Sequence, residues 1–299
     1  MTSSDPAIRV RGLTKSYKKV QALAGVDFDV PAGKVTGFVG PNGAGKTTTF
    51  RALLGLTRPD SGTIEMLGLP VPRELAVITR RCGAIIEEPG LLQALSGHTN
   101  MQIAADTLGL GHGRIQDLLE FVGLADDARR KVSEYSKGMR QRLALAAALI
   151  AGPELLLLDE PLDGLDPVGQ KVFRSRLREL ADEGATVVVS SHDMADIEAI
   201  ADHLIVIRRG SIAAAGPLDS LLDGGGTRVV IENPSSAMEV LRAAGIEARF
   251  TGSELFVSSQ DRERIVRTLG AAQMFPSEVS AHRSSLESVF FELTGEEEE

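Results

Sequence analysis

Residues 40–48 constrain the fold of this chain more than any other stretch of its sequence. They read Gly-Pro-Asn-Gly-Ala-Gly-Lys-Thr-Thr, follow the apolar run 35–39, and precede a helical pattern that begins near Lys46. A G-x-x-x-x-G-K-[ST] pattern between a strand and a helix is typical of loops that bind nucleotide phosphates. Its glycines allow a turn tight enough for successive N–H groups to point at phosphate oxygens, and the helix adds its positive dipole end. The sequence therefore predicts an α/β fold with a phosphate-binding loop.

The roles of individual residues in this loop follow from their chemistry. Lys46 offers a compact positive charge to the β- and γ-phosphates, and the Thr47 hydroxyl can ligate Mg²⁺. A chance glycine-rich turn between a strand and a helix is the less favoured alternative. The predicted nucleotide-binding residues of the loop are Gly40, Pro41, Asn42, Gly43, Ala44, Gly45, Lys46, Thr47 and Thr48.

Two acidic residues follow a second apolar run. The run 155–158 is continuous leucine, which suits a strand buried on both faces of a parallel sheet. Ligand-binding residues of such sheets lie at the carboxyl ends of the strands, where Asp159 and Glu160 fall. We predict that Asp159 holds Mg²⁺ directly or through water and that Glu160 orients the attacking water. His192 follows another buried strand and could hydrogen-bond to the γ-phosphate or to Glu160.

Composition narrows the class of function. The net charge of −9 and the pI near 5.2 argue against a nucleic-acid partner, because non-specific binding depends on Lys and Arg that neutralise phosphates. The single cysteine, Cys82, cannot form an internal disulfide, which fits a reducing cytosolic compartment. The N-terminus has no signal-peptide pattern, and the apolar runs are too short to cross a bilayer. We therefore expect a soluble chain that reaches a membrane only through a partner.

The chain is predicted to have a large domain, a small domain and a tail. The large domain spans residues 1–223 with a helical subdomain at about 88–150, an α+β accessory domain spans 224–295, and an acidic tail occupies 296–299. Helical patterns lie at 99–108, 114–122 and 136–150, and in the accessory domain at 237–244, 262–269 and 286–293, with strands at 227–231 and 254–258. Ser136 is the predicted N-cap of the helix at 136–150. Tyr17 is predicted in the loop between the first two strands. It could stack on a purine, although packing on its own hairpin is the better local interpretation.

Over roughly residues 7–215, the motifs and their order along the chain resemble those of the ATP-binding subunits of ABC transporters. Residues 40–48 resemble the Walker A loop and residues 155–161 the Walker B strand. Residues 164–166 resemble the D-loop, and His192 matches the switch histidine. The resemblance implies a P-loop NTPase core with an antiparallel β subdomain and a helical subdomain, plus a small C-terminal α+β appendage.

The resemblance also implies roles for residues outside the phosphate loop. Tyr17 would stack on adenine, which reverses the local interpretation. Residues 135–139, Tyr-Ser-Lys-Gly-Met, resemble the family signature, so Ser136 and Gly138 would contact the γ-phosphate of ATP held by a second subunit. With one copy of each motif per chain, hydrolysis would need that second ATPase subunit, most simply an identical one. ATP and Mg²⁺ are the implied cofactors. The implied catalytic residues are Glu160, His192 and Lys46.

Three positions depart from the family pattern. Lys137 stands where the signature usually has Gly, and Met139 stands where it usually has Gln. Glu87 occupies the loop that usually carries Gln. A carboxylate can still reach Mg²⁺, so the predicted metal ligands are Thr47, Glu87 and Asp159. A solvent-facing Glu87 with a structural role is the alternative.

Glu87, the signature and the segment 285–295 together resemble exporters of drugs and antimicrobial peptides. The resemblance implies an ATPase at the cytoplasmic face of the cell membrane that energises transport through a separate multi-span permease. One alternative is a soluble ABC-type ATPase acting on ribosomes or DNA, which the single cassette and the absence of sustained heptads disfavour. Another is a nucleotide-gated immunity or binding module with incidental hydrolysis, which Glu160 and His192 disfavour.

Overall fold

A computed structural model describes residues 5–87, 90–222, 226–252, 254–282, 286, 287 and 290. Contacts divide the chain into two units, residues 1–217 and 218–299, which are described separately. The predicted boundary at 223/224, the tail at 296–299 and most of the predicted helix 286–293 lie outside the described residues.

The first unit combines two sheets with a set of helices. Its strands are β1 (Ile8–Tyr17), β2 (Val20–Val30), β3 (Val35–Val39), β4 (Ser61–Met66), β5 (Leu69–Val71), β6 (Cys82–Ile85), β7 (Leu155–Leu158), β8 (Thr186–Ser191), β9 (His203–Arg208) and β10 (Ser211–Pro217). Its α-helices are α1 (Lys46–Leu53), α2 (Leu75–Ile78), α3 (Gly97–Thr107), α4 (Ile115–Phe121), α5 (Lys137–Ala148), α6 (Pro167–Asp182) and α7 (Met194–Glu198).

A six-stranded sheet with the order β10-β9-β3-β8-β7-β6 forms the core of this unit. Strands β3, β6, β7, β8 and β9 run parallel, and β10 pairs antiparallel with β9 at one edge. Every residue of β3, β7 and β8 is buried, as expected for central strands of a parallel sheet covered on both faces. Because parallel strands end at the same edge, the segments that follow β3, β7 and β8 meet there. The predicted α/β core is confirmed.

The second sheet is antiparallel and has the order β2-β1-β4-β5. Three buried rings join it to the core: Phe28 from β2, Phe38 from β3 and Phe50 from α1. The centroids of Phe28 and Phe38 are 5.5 Å apart and those of Phe38 and Phe50 are 5.8 Å apart, both in edge-to-face geometry. Each such pair adds about 0.5–1.5 kcal/mol beyond the buried area. The rings fix α1 against both sheets.

Helices α3, α4 and α5 pack against one another as a helical subdomain. Their buried contacts include Met101 on α3, Leu119 on α4 and Leu143 on α5. The helices predicted at 99–108, 114–122 and 136–150 are confirmed, with each end within two residues. In the described part of the chain, none of the helices combines the length and apolar character that crossing a membrane requires.

The second unit has a βαββαβ arrangement preceded by a short helix. Its elements are α8 (Leu218–Leu222), β11 (Gly226–Val230), α9 (Pro234–Ala243), β12 (Ala248–Thr251), β13 (Glu254–Val257), α10 (Arg262–Ala271) and β14 (Glu278–His282). The strands form an antiparallel sheet in the order β12-β13-β11-β14. Val229 and Leu255 of the central strands pack with Leu241 of α9 and Leu269 of α10. The sequence does not predict β12 and β14, the short edge strands, because charged and small residues interrupt their apolar pattern.

Candidate functional site

Two glycines of the segment between β3 and α1 lie where its backbone passes close to other backbone atoms. A Cβ on Gly40 would lie 2.3 Å from the Ile207 carbonyl oxygen, so only glycine fits there. Gly45 precedes α1 with φ of 116°, and a Cβ on it would lie 2.8 Å from the Ala22 oxygen. The first N–H groups of a helix have no intrahelical partner and carry the positive end of its dipole. The loop therefore aims the N-terminus of α1 at the carboxyl edge of the sheet.

Lys46 links this loop to the residue that follows β7. Its side chain is buried, with 6% exposed, and Nζ donates to the Gly40 oxygen at 2.6 Å and to the Pro41 oxygen at 3.4 Å. The same Nζ lies 3.1 Å from Glu160 Oε1. An ammonium held by two carbonyls and a carboxylate is well placed for an anionic phosphate.

Thr47 and Asp159 meet as predicted for a divalent-ion site. Thr47 Oγ1 donates to Asp159 Oδ2 at 2.8 Å, and Asp159 is buried. Ser190, in β8, donates to the other carboxylate oxygen at 2.5 Å and accepts from the Glu160 N–H at 2.9 Å. Hydroxyl and carboxylate oxygens are the ligands that Mg²⁺ prefers, so this donor set fits the ion. Ser190 is not among the predicted site residues, although a serine at the end of an apolar strand is a usable signal.

Glu160 and His192 lie side by side at the ends of β7 and β8. His192 Nδ1 is 3.0 Å from Glu160 Oε2. Glu160 has φ of 48°, a conformation that is uncommon for a residue with a side chain and often occurs at functional sites. Asp193 caps α7 by accepting from the Ala195 N–H at 2.9 Å, which fixes the backbone next to His192. The structure therefore brings all three predicted catalytic residues together.

Glu87 is the third predicted metal ligand, and that role stays a prediction. Its carboxylate pairs with the guanidinium of Arg51 on α1, and its side chain is 56% exposed. The positive charge of Arg51 lies in direct contact with the Glu87 carboxylate and offsets the negative charge that Glu87 brings. Arg51 is not predicted as a site residue, because nothing in the local pattern indicates a partner 36 residues away.

Glu87→Gln is expected to retain Mg²⁺-dependent ATPase activity, with a change of less than about fivefold because exposed ion pairs contribute little. The amide oxygen keeps an oxygen donor and removes only the charge. ATPase rates over a Mg²⁺ titration measure this, with Arg51→Met as the matched variant that leaves the Glu87 charge unpaired. Complete inactivity of a folded Glu87→Gln protein would show that the carboxylate itself is required.

Ser136 and Gly138 lie at a second helix N-terminus, that of α5. Ser136 Oγ accepts from the Met139 N–H at 3.2 Å, so the predicted N-cap is confirmed. A Cβ on Gly138 would lie 3.4 Å from Leu165 Cδ2, so the leucine packs against the glycine backbone. The adjoining Tyr135 is buried, and burial raises its pKa, so its hydroxyl stays protonated and donates to the Asp127 oxygen at 2.8 Å.

The prediction that Tyr17 lies in a loop is wrong. Tyr17 is the last residue of β1 and pairs with Val20 of β2, because the turn between the strands is only two residues long. Its ring is 42% exposed, and Lys15 Nζ lies 5.3 Å from the ring centroid. The hydroxyl is 3.3 Å from Thr57 Oγ1. Stacking of this ring on adenine stays a prediction.

The strand order and the phosphate loop place the chain among the P-loop ATPases that carry an antiparallel β subdomain and a helical subdomain. Comparison with known proteins narrows the class. The family model for ABC transporters matches residues 23–163. The chain is 36% identical to the uncharacterized ABC transporter ATP-binding protein YhcH of Bacillus subtilis over 98% of this chain and 97% of that protein. The chain therefore belongs to the ABC transporter ATP-binding family and is an ATPase.

Further relatives and solved structures agree with this assignment. The daunorubicin resistance ATP-binding protein DrrA3 of Streptomyces coeruleorubidus is 37% identical, with 98% of each chain covered. The bacitracin transport ATP-binding protein BcrA of Bacillus licheniformis is 41% identical over 72% of this chain and 71% of that protein. A dimeric ATP-binding cassette bound to ADP and Pi, MJ0796, matches with a TM-score of 0.65 and 25% identity over 71% of this chain and 98% of that one.

Proposed function

We propose that this chain is the ATPase subunit of an exporter that moves a drug or an antimicrobial peptide through a separate permease. Support comes from relatives that span its full length or most of it: one is a daunorubicin resistance protein and another a bacitracin transport protein. A lantibiotic transport protein of Streptococcus pyogenes is 40% identical over 69% of this chain. Such a subunit would act at the cytoplasmic face of the membrane.

The observation that carries the ATPase role is the contact of Glu160 with both Lys46 and His192. Phosphate oxygens would compete for the Lys46 ammonium and draw it away from the Glu160 carboxylate. Glu160 could then accept a hydrogen bond from the attacking water, while His192 holds the other carboxylate oxygen. A carboxylate positioned in this way is suited to hydrolysis and not only to nucleotide binding.

Thr47 and Asp159 would hold the Mg²⁺ ion. When bound, the ion supplies charge neutralisation at the triphosphate. Ser190 donates to the Asp159 oxygen on the opposite side from Thr47, which keeps that carboxylate oriented. Ser190 would therefore act on the ion through Asp159.

We further propose that two copies of the chain face each other, each offering Ser136 and Gly138 to the ATP held by its partner. ATP would favour the closed pair because it contacts the closed state more extensively than the open one. Hydrolysis would remove that preference and reopen the pair. The permease would convert the change into transport.

Mg²⁺ with a non-hydrolysable ATP analogue is expected to shift the purified 31.8 kDa subunit to a dimer. Size-exclusion chromatography with light scattering measures the mass, and omission of Mg²⁺ is the control. A protein that stays strictly monomeric under saturating Mg-ATP while turning over at full rate would contradict the paired arrangement. Where a multi-span membrane protein is encoded beside this chain, co-purification with it tests the transport role. ATPase activity that does not respond to that membrane protein would favour the soluble alternative.

A further inference from the structure

Lys137, the first residue of α5, reaches across to the segment 163–166. This segment continues from the turn at residues 160–163, the Glu160 turn. Its Nζ lies 3.4 Å from Asp163 Oδ2. The two side chains are 54% and 59% exposed, so the ion pair alone is weak. A second contact of the same lysine adds to the ion pair.

The Lys137 side chain also lies over Gly164. A Cβ on Gly164 would be 2.3 Å from Lys137 Nζ, 2.8 Å from its Cδ and 2.9 Å from its Cε. Gly164 has φ of 69°, a backbone conformation that favours glycine, and its lack of a side chain leaves room for the lysine stem. The lysine is therefore held by its stem as well as by its charge.

The segment that Lys137 contacts is hydrogen-bonded to the backbone of Glu160. The Asp163 N–H donates to the Glu160 oxygen at 3.2 Å, and Glu160 itself has the strained φ described above. Leu165 of the same segment packs against Gly138. Two contacts, one made by Lys137 and one by Gly138, thus join the N-terminus of α5 to the turn that presents Glu160.

We propose that Lys137 is a positioning residue that holds the Glu160 turn against the N-terminus of α5. The inference rests on the proposed function insofar as Glu160 serves hydrolysis and Ser136 serves the partner's ATP. In that arrangement, Ser136 contacts one ATP and Glu160 serves hydrolysis of the other. Lys137 couples the two residues so that they move together. Lys137 itself needs no contact with nucleotide.

Lys137→Met keeps most of the stem and removes the charge. In the full-length protein, hydrogen exchange at the Asp163 and Leu165 amides is expected to rise about two- to fivefold, the range of a lost exposed ion pair. Asp163→Asn should give the same rise. Lys171→Met, on the exposed face of α6, is the matched control and should change nothing at these amides. Unchanged exchange in Lys137→Met, or an equal rise in the control, would overturn the proposal.

A second pair of variants tests the packing contact. The Cβ of Gly164→Ala would displace the lysine stem, so it should loosen the same amides and add the cost of alanine at positive φ. In a Lys137→Gly background only the conformational cost remains, and the increment caused by Gly164→Ala should shrink at least about twofold, as for residues in direct contact. Equal increments in the two backgrounds would show that the stem does not hold the turn.

Kinetics separates positioning from a general structural role. Lys137→Met should lower kcat for ATP hydrolysis about two- to fivefold and leave KM for ATP and the melting temperature unchanged, since the phosphate loop is untouched. An unchanged kcat with looser amides would limit Lys137 to a structural role and overturn the proposal. Failure of the paired arrangement is detected separately by mass, because the exchange measurements do not depend on dimer formation.

Discussion

Glu160→Gln is expected to lower kcat for ATP hydrolysis by about 10²–10⁴-fold, the range for a lost general base, while ATP binding persists. The amide keeps the size of the side chain but cannot accept a proton from water. It also removes the negative charge 3.1 Å from Lys46 Nζ, which frees the ammonium for phosphate. The variant should therefore accumulate as an ATP-bound dimer.

Single-turnover hydrolysis, equilibrium ATP binding and mass under Mg-ATP measure these three consequences. Glu183→Gln is the matched control, because Glu183 is an exposed carboxylate at the C-cap of α6, before the start of β8, whereas Ser190 and His192 lie at the end of that strand. It should behave as wild type in all three measurements. Wild-type turnover by Glu160→Gln would remove Glu160 from the catalytic role.

Lys46→Ala should weaken ATP binding about 10- to 150-fold, the equivalent of one charged hydrogen bond of roughly 1.5–3 kcal/mol, and abolish turnover at ordinary ATP concentrations. The loss is large because Lys46 is buried and points at the loop that would hold the phosphates. Isothermal titration with Mg-ATP measures the affinity.

Two controls separate phosphate binding from loop collapse. Lys171→Ala removes an exposed lysine on α6 and should leave affinity unchanged. The melting temperature of Lys46→Ala reports whether the carbonyls of Gly40 and Pro41 need the ammonium for folding. A folded Lys46→Ala protein with unchanged ATP affinity and activity would show that the lysine does not bind phosphate.

The sequence predicts those parts of the fold and the site that local patterns determine. The phosphate loop is recognisable because glycines, lysine and threonine must follow a strand and open a helix within nine residues. The leucine run of β7 is recognisable because a strand buried on both faces carries no polar alternation. The N-cap at Ser136 follows from the ability of a serine hydroxyl to accept from a free helix N–H.

Contacts between distant segments could not be predicted in the same way. The partner of Glu87 is Arg51, the partner of Asp159 is Ser190, and the partner of Lys137 lies 26 residues further on. Each depends on how two loops meet in space, which periodicity does not encode. The edge strands of the second unit, β12 and β14, were not predicted for a different reason. Strands that pair on one side only need little apolar character.

The three phenylalanine rings described above have a consequence for how binding and folding are related. Phe38 is completely enclosed, and it touches one ring from the antiparallel sheet and one from the helix that follows the phosphate loop. Shortening that side chain would leave a void at the junction of all three elements. The loss of conformational stability would thus be accompanied by poorer affinity for nucleotide, a coupling that originates in carbon–carbon packing and not in any polar group.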